Sequence, residues 1–213
     1  MSDYSCYVLH TNRPDLTAKA LYSIRDLGEN VYVIDNSGDD EEDAITRTVG
    51  VFKQVVPLTA TQSINYAIVS GQRMGHKFIL WMHNDAEAEP GSALALVDLA
   101  RILTLEGRNW GVIFTNYDAF SAINLAAVEE VGLWDTHFSA YYSDNDWYKR
   151  VRMAGWETVE SHLPVKHVGS QTIKSDPEKL FLNSQTFPIY AQYYERKWGG
   201  PPGQEKYERP FGR

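Results

Sequence analysis

Apolar and polar positions alternate in blocks along this chain, and the blocks have two periods. Residues 5–10 form a short apolar strand, followed by a turn at 11–14. Residues 15–27 then carry Leu16, Ala20, Leu21, Ile24 and Leu27, a helical spacing that Gly28 closes. Strands follow at 31–34 and 51–56, separated by Asp35-Asn36-Ser37-Gly38 and the acidic run 39–43. Residues 63–74 return to the helical period through Ile64, Ala67, Ile68 and Gly71. Residues 78–82, FILWM, are apolar throughout, as in a strand covered on both faces. Helix 92–105, a strand at 112–115, and helices at 125–131 and 144–154 complete the pattern, the last closed by Gly155. Strand–helix alternation predicts an α/β fold with a mostly parallel, doubly wound sheet. From Ser170 the chain is polar and aromatic and ends KWGGPPGQEKYERPFGR, a composition that predicts irregular structure wrapping the body or staying mobile.

At 213 residues there is room for one well-buried α/β domain. The expected division is one domain over residues 1–170, with a nucleotide half to 100 and an acceptor half after it. Residues 171–213 are then an extension or lid. A net charge of −8 argues against general attraction to nucleic acid. The 13 tyrosines and 6 tryptophans suit sugar or base faces as well as core packing. The single cysteine, Cys6, leaves no internal disulfide and reads as a buried thiol. Neither a signal peptide nor an apolar run near the roughly 20 residues of a membrane span is visible. The expectation is a soluble cytoplasmic protein.

Chemistry concentrates where strands end. His83, Asn84 and Asp85 follow FILWM directly, and Glu87 and Glu89 come next. Carboxylate oxygen at a sheet rim suits a hard divalent cation, and open α/β sheets bind ligands there. Asp35 ends the second strand and can accept from a ribose or base edge. Asp144 and Asp146, in AYYSDNDWY, can supply a general base. Each of these residues also fits an ordinary turn or helix N-cap. His167, in LPVKHVGS, stands at another strand end and gains a role only if it meets Asp85.

Taken together, these segments resemble a known family. VLHTNRPDLTAKALYSI (8–24) followed by VYVIDNSGDD (31–40) resembles the opening of inverting family 2 glycosyltransferases with the GT-A fold. WMHNDAEAEPGSALALV (81–97) resembles their metal-binding Asp-x-Asp region. AVEEVGLWDTHFSAYYSDNDWYKRVRMAGW (127–156) resembles their acceptor block, and HVGS their late histidine motif. The resemblance runs from residue 5 to about 170.

It implies a GT-A fold and a divalent metal, Mn²⁺ or Mg²⁺. It also implies a UDP-, GDP- or dTDP-linked sugar donor and an acceptor hydroxyl. The nucleotide side would comprise Thr11, Asn12, Arg13, Asp35, Asn36, Asn65 and Asn84. Asp85 and His167, with His83, would hold the metal, and Asp144 would be the base. Trp134, Asp135 and Asp146 would face the acceptor. The chain departs from the pattern in the Asp-x-Asp region, whose first position is His83 instead of an acid and whose second is Asn84, and at Ser143, where an acid often precedes the base. Lys174, Arg196, Lys197, Lys206 and Arg209 can contact diphosphate as a closing lid or make an oligomer contact. Saccharide, lipid-linked, protein and modified-nucleobase acceptors all remain open. So do a nucleotidyltransferase, which would want a glycine-rich phosphate loop where HTNRPDL has none, and a non-catalytic sugar- or nucleotide-binding module.

Overall fold

The computed structural model describes residues 2–37, 50–167, 169, 171–174 and 176–213; the acidic run 39–43 and Ser170 lie outside them. In chain order the elements are β1 (Tyr4–His10), α1 (Pro14–Ser23), β2 (Val31–Asp35), β3 (Gly50–Lys53), α2 (Ala60–Arg73) and β4 (Phe78–Met82). Next come β5 (Ala86–Ala88), α3 (Ser92–Leu105), β6 (Trp110–Phe114), β7 (Phe120–Asn124), α4 (Leu125–Val131) and α5 (Ser143–Met153). The chain closes with β8 (Glu157–Glu160), β9 (Val165–His167), α6 (Gln171–Lys174) and α7 (Pro177–Trp198). Seven strands form one sheet in the order β3-β2-β1-β4-β7-β6-β8, and β5 and β9 form a separate two-stranded ribbon. The sheet is mostly parallel, and β7 runs antiparallel to both its neighbours.

The run FILWM shows why the sheet is buried twice over. Successive side chains in a strand point to opposite faces. Phe78, Leu80 and Met82 join Ala20 of α1, Ile24 just after it, and Leu96 and Val97 of α3. Ile79 and Trp81 join Ile64 and Ile68 of α2, Val128 of α4 and Trp147 of α5 on the other side. A strand with helices on both faces has no polar side to show. Helix α2 starts on a capping box, Thr59 accepting from Gln62 N while the Gln62 side chain accepts from Thr59 N. It lies close on the sheet at Gly71, where a Cβ would stand 2.4 Å from Ile79 Cγ2.

Several expected boundaries move. The helix expected to run to residue 27 stops at Ser23 and passes into a 3₁₀ turn, Arg25–Asn30, bent at Gly28 with φ of 60°. The strand expected over 51–56 ends at Lys53. The largest correction concerns the tail, where α7 is a helix of 22 residues. Asp176 caps it by accepting from Glu178 N and Lys179 N, and Pro177 occupies the first turn, where proline loses nothing. The glycines of the tail after α6 and its clustered prolines fall after Trp198, while Pro177 starts the helix and Pro188 lies inside it. Tyr190, Tyr193, Tyr194 and Trp198 recur at helical spacing and pack with Phe138 and Tyr142 in a third apolar cluster. Among the described residues no helix is long and apolar enough to cross a membrane.

Candidate functional site

The reversal of β7 shapes the rim of the sheet. Met82, last in β4, pairs with Phe120, first in β7, and His83 N donates to Ala119 O at 3.0 Å. The turn Asn116–Asp118 before β7 therefore stands beside the end of β4. The ribbon adds the other side: Ala86 pairs with His167, which brings β9 to the residue after Asp85.

His83, Asp85 and His167 meet there. Each can offer one ligand atom such that all three lie within 4.8 Å of one another. His167 Nε2 is 3.2 Å from Asp85 Oδ1, and the two imidazole rings sit edge to face at 5.3 Å. Burial, and then repulsion from His167, pushes the His83 pKa down to about 4, so the ring is neutral at pH 7 with a lone pair to offer. Two imidazole nitrogens and one carboxylate oxygen fit a borderline divalent cation such as Mn²⁺ better than Mg²⁺.

These three side chains line a cleft of about 580 Å³, together with Thr11, Asn84, Trp134 and Asp144. Asp144 stands in the first turn of α5, where the helix dipole favours an anion. Burial nevertheless raises its pKa, against hydrogen bonds from its own and the Asn145 backbone. Asp118 and Tyr148 also line the cleft, and neither was singled out by its sequence. Tyr148 Oη donates to Asp118 Oδ1 at 2.5 Å. Burial, with a smaller push from the neighbouring Asp144 charge, lifts Asp118 to about 7 against that bond. Asp118 has φ of 54° and Tyr142, just before α5, has 68°; Asn12, next to Thr11, has 48°. Non-glycine residues in the left-handed region are costly, and such residues gather at functional sites.

The other expected site residues stand around the cleft without lining it. Asp35 accepts from Ser37 N at 2.8 Å and pairs with Lys53 at 3.2 Å. Burial pushes its pKa up, yet the bonds from Ser37 and Lys53 together outweigh that and leave it below the ordinary carboxylate value. Asn36 ties the 58 loop to α2: its Nδ2 donates to Leu58 O and Ser63 Oγ, and its Oδ1 accepts from Leu58 N. Asn12 N donates to Ser37 Oγ, and Arg13 forms a two-point pair with Asp15. Asn65 donates to Trp134 O and accepts from Trp134 N, both at 2.9 Å, so it fixes the backbone of a residue that does line the cleft.

Asp135 and Asp146 belong to a buried charge network. Lys197 Nζ lies 2.7 Å from Asp135 Oδ2 and 2.6 Å from Asp146 Oδ1. Tyr193 Oη also donates to Asp135, and Trp198 Nε1 and Arg150 Nε to Asp146. The network bolts α7 to α5 and to the segment between α4 and α5, which removes Lys197 from any lid over a diphosphate. Trp147 is fully buried and donates to Gly132 O.

No protein-family model matches this sequence, and no curated protein matches it. Solved structures do. TarS from S. aureus aligns with a TM-score of 0.60 at 11% identity over 92% of this chain and 44% of that one. TarS 1-349 in complex with UDP aligns with a TM-score of 0.54 at 12% identity, over 70% of this chain and 55% of that one. A cytidylyltransferase from Leptospira borgpetersenii serovar Hardjo-bovis aligns with a TM-score of 0.52 at 9% identity, over 97% of this chain and 100% of that one. The chain spans about half the length of the TarS chains. Identities this low speak for the fold alone, and the fold is the GT-A-like one expected from the sequence, a mostly parallel sheet flanked by helices.

Proposed function

We propose that this chain is a metal-dependent inverting glycosyltransferase using a nucleotide-sugar donor. One observation carries the reading: a half-buried carboxylate at a helix N-terminus, Asp144, and an imidazole–imidazole–carboxylate set, His83, Asp85 and His167, line the same cleft. The UDP complex among the similar structures supports a UDP-linked donor. A divalent cation at the triad would neutralise charge on the departing diphosphate. Asp144 takes the proton from the acceptor hydroxyl as its oxygen attacks the anomeric carbon. The bond from that carbon to the diphosphate oxygen breaks on the opposite face, the nucleoside diphosphate leaves, and the anomeric configuration inverts. Thr11 and Asn84 border the donor side, while Trp134 walls the acceptor side.

Nucleotidyl transfer is the second reading, favoured by the cytidylyltransferase likeness. Against it, the turn after β1, HTNRPD, has no glycine to let a backbone wrap a triphosphate. A thermal-shift screen of UDP-, GDP- and dTDP-sugars, with CTP in parallel, each with and without Mn²⁺, separates the two. A nucleotide sugar should stabilise by mass action and need the metal. Stabilisation by CTP alone, with pyrophosphate release, would replace this reading.

A further inference from the structure

Helix α7 parts from the body toward its N-terminus. Tyr194, Lys197 and Trp198 are buried at one end, whereas over residues 180–189 only Asn183 and Thr186 are even half-covered. Phe187 flanks that inner stripe and meets the rings of Tyr141 at 5.3 Å and Tyr142 at 5.4 Å. At 3.6 residues per turn, Phe181, Leu182, Gln185, Pro188 and Ile189 share the opposite side. There Phe181 is 62% exposed, Ile189 61% and Leu182 52%, with Leu180 at its edge at 48%. A helix normally turns its apolar side inward, and this one also turns apolar side chains out. At about 200 Å² for a large side chain, these four leave roughly 450 Å² of apolar surface, near the upper range for the largest patch on a monomer.

The charges around that face select what covers it. Residues 180–194 contain no Asp, Glu, Lys or Arg, in a chain of net charge −8. Two such acidic chains repel wherever their charges approach, so an uncharged face is where they can meet. A lipid surface would instead be met by a basic flank, and the nearest charges, Glu178 and Lys179 before and Glu195 and Arg196 after, cancel. Area agrees: two copies of the face, with Gln185 and Pro188 included, bury about 1,000 Å², what a specific interface needs. A two-fold at Gln185 makes the contact self-complementary, since Phe181 and Leu182 of one copy then meet Ile189 and Pro188 of the other. We propose that the outer face of α7 is a homodimer interface, two copies of this chain packing the helix antiparallel about Gln185.

Sedimentation of the full chain at micromolar concentration should give twice the 24.2 kDa of one chain. Phe181→Lys and Ile189→Glu should each halve that mass, because each leaves an unpaired charge in an apolar contact. Both positions are exposed, so the circular dichroism of the variants should match wild type. An equimolar mixture of the two should recover the doubled mass, since the introduced lysine and glutamate then face each other. Cys6 is buried, so a Gln185→Cys chain can crosslink only through the new thiol. Under mild oxidation it should form a covalent dimer faster than Tyr22→Cys, an exposed position on α1. A monomeric wild type, or charge variants that both stay dimeric, would overturn the interface. A monomer that sediments with phosphatidylcholine vesicles would give the face to a lipid surface instead, and a mixture that stays monomeric would overturn the antiparallel pairing.

Discussion

Tyr148 Oη holds Asp118 Oδ1 at 2.5 Å, and Asp144 stands one helical turn before Tyr148 on α5. The contact joins a turn between two strands to the helix that carries the proposed base. It also places two carboxylates within each other's field.

Burial of Asp118, with that field as a smaller part, predicts a pH-dependent stability. Asp118 titrates at about 7 in the fold against 3.8 for an ordinary aspartate. Protonated, it costs the fold nothing extra; ionised, it is penalised. Stability should therefore fall as pH rises from about 4 to about 7, and the loss is complete above that. Asp118→Asn removes the penalty, so its melting temperature should exceed wild type at pH 8 by several degrees, at about 2–4 °C per kcal/mol for a chain of this size, and match it at pH 4. A variant equally or less stable at pH 8 would refute this account.

Asp144→Asn should lower transfer by about 10²–10⁴-fold while nucleotide-sugar stabilisation persists. In wild type, kcat/KM should fall as the pH drops through a value above the ordinary 3.8, because burial raises the carboxyl and a protonated base cannot accept. Steady-state rates across pH read both effects. Equal transfer by mutant and wild type would remove Asp144 from this role.

Removing a triad ligand should act through the metal. With Asp85→Ala or His167→Ala, the stabilisation that Mn²⁺ adds to UDP binding should vanish, a loss of about 2.7 kcal/mol if the wild type is measured at a hundredfold excess over Kd. The melting temperature without nucleotide or metal is the control. Undiminished Mn²⁺-dependent stabilisation in both variants would place the cation elsewhere.

Lys197→Met should be among the most destabilising changes in the acceptor half. It strands Asp135 and Asp146 without their shared cation, and breaking a buried ion pair from one side costs about 3–5 kcal/mol. Urea denaturation measures the loss. Below the new midpoint, nucleotide affinity should be unchanged, which separates a structural lysine from one that touches diphosphate.

How much of this was legible in the sequence depended on the range of the interactions. FILWM read as a doubly covered strand because five apolar residues in a row, ended by the turn residues HND, are short for a helix and leave no polar face, and helix 92–105 followed from its periodicity. Asp85 and Asp144 stood out because acids at element ends are unusual enough to count. Asp118 did not, since NYDAF reads as any turn and its φ of 54° comes from hydrogen bonds around Thr115 and Phe120. Asp135 and Asp146 looked like site acids until Lys197, far along the chain, lay between them. The meeting of His167 with Asp85 depends on a ribbon of three residue pairs, too short to announce itself by alternation. The tail's composition predicts irregular structure because glycine and proline crowd residues 199–212, and that crowding hides the helical spacing of the aromatics in α7.

The reversed strand β7 has a consequence for how such a cleft diversifies. The chain reaches the rim at Phe114, turns, and leaves it again at Phe120, so one hairpin tip supplies the Asp118 carboxylate. The triad stands beside it, just after β4 and on the ribbon, and His83 N bonds to Ala119 O where the tip ends. Lengthening or recoding the tip would therefore displace His83 along with Asp118, so the two sides of the cleft cannot vary independently.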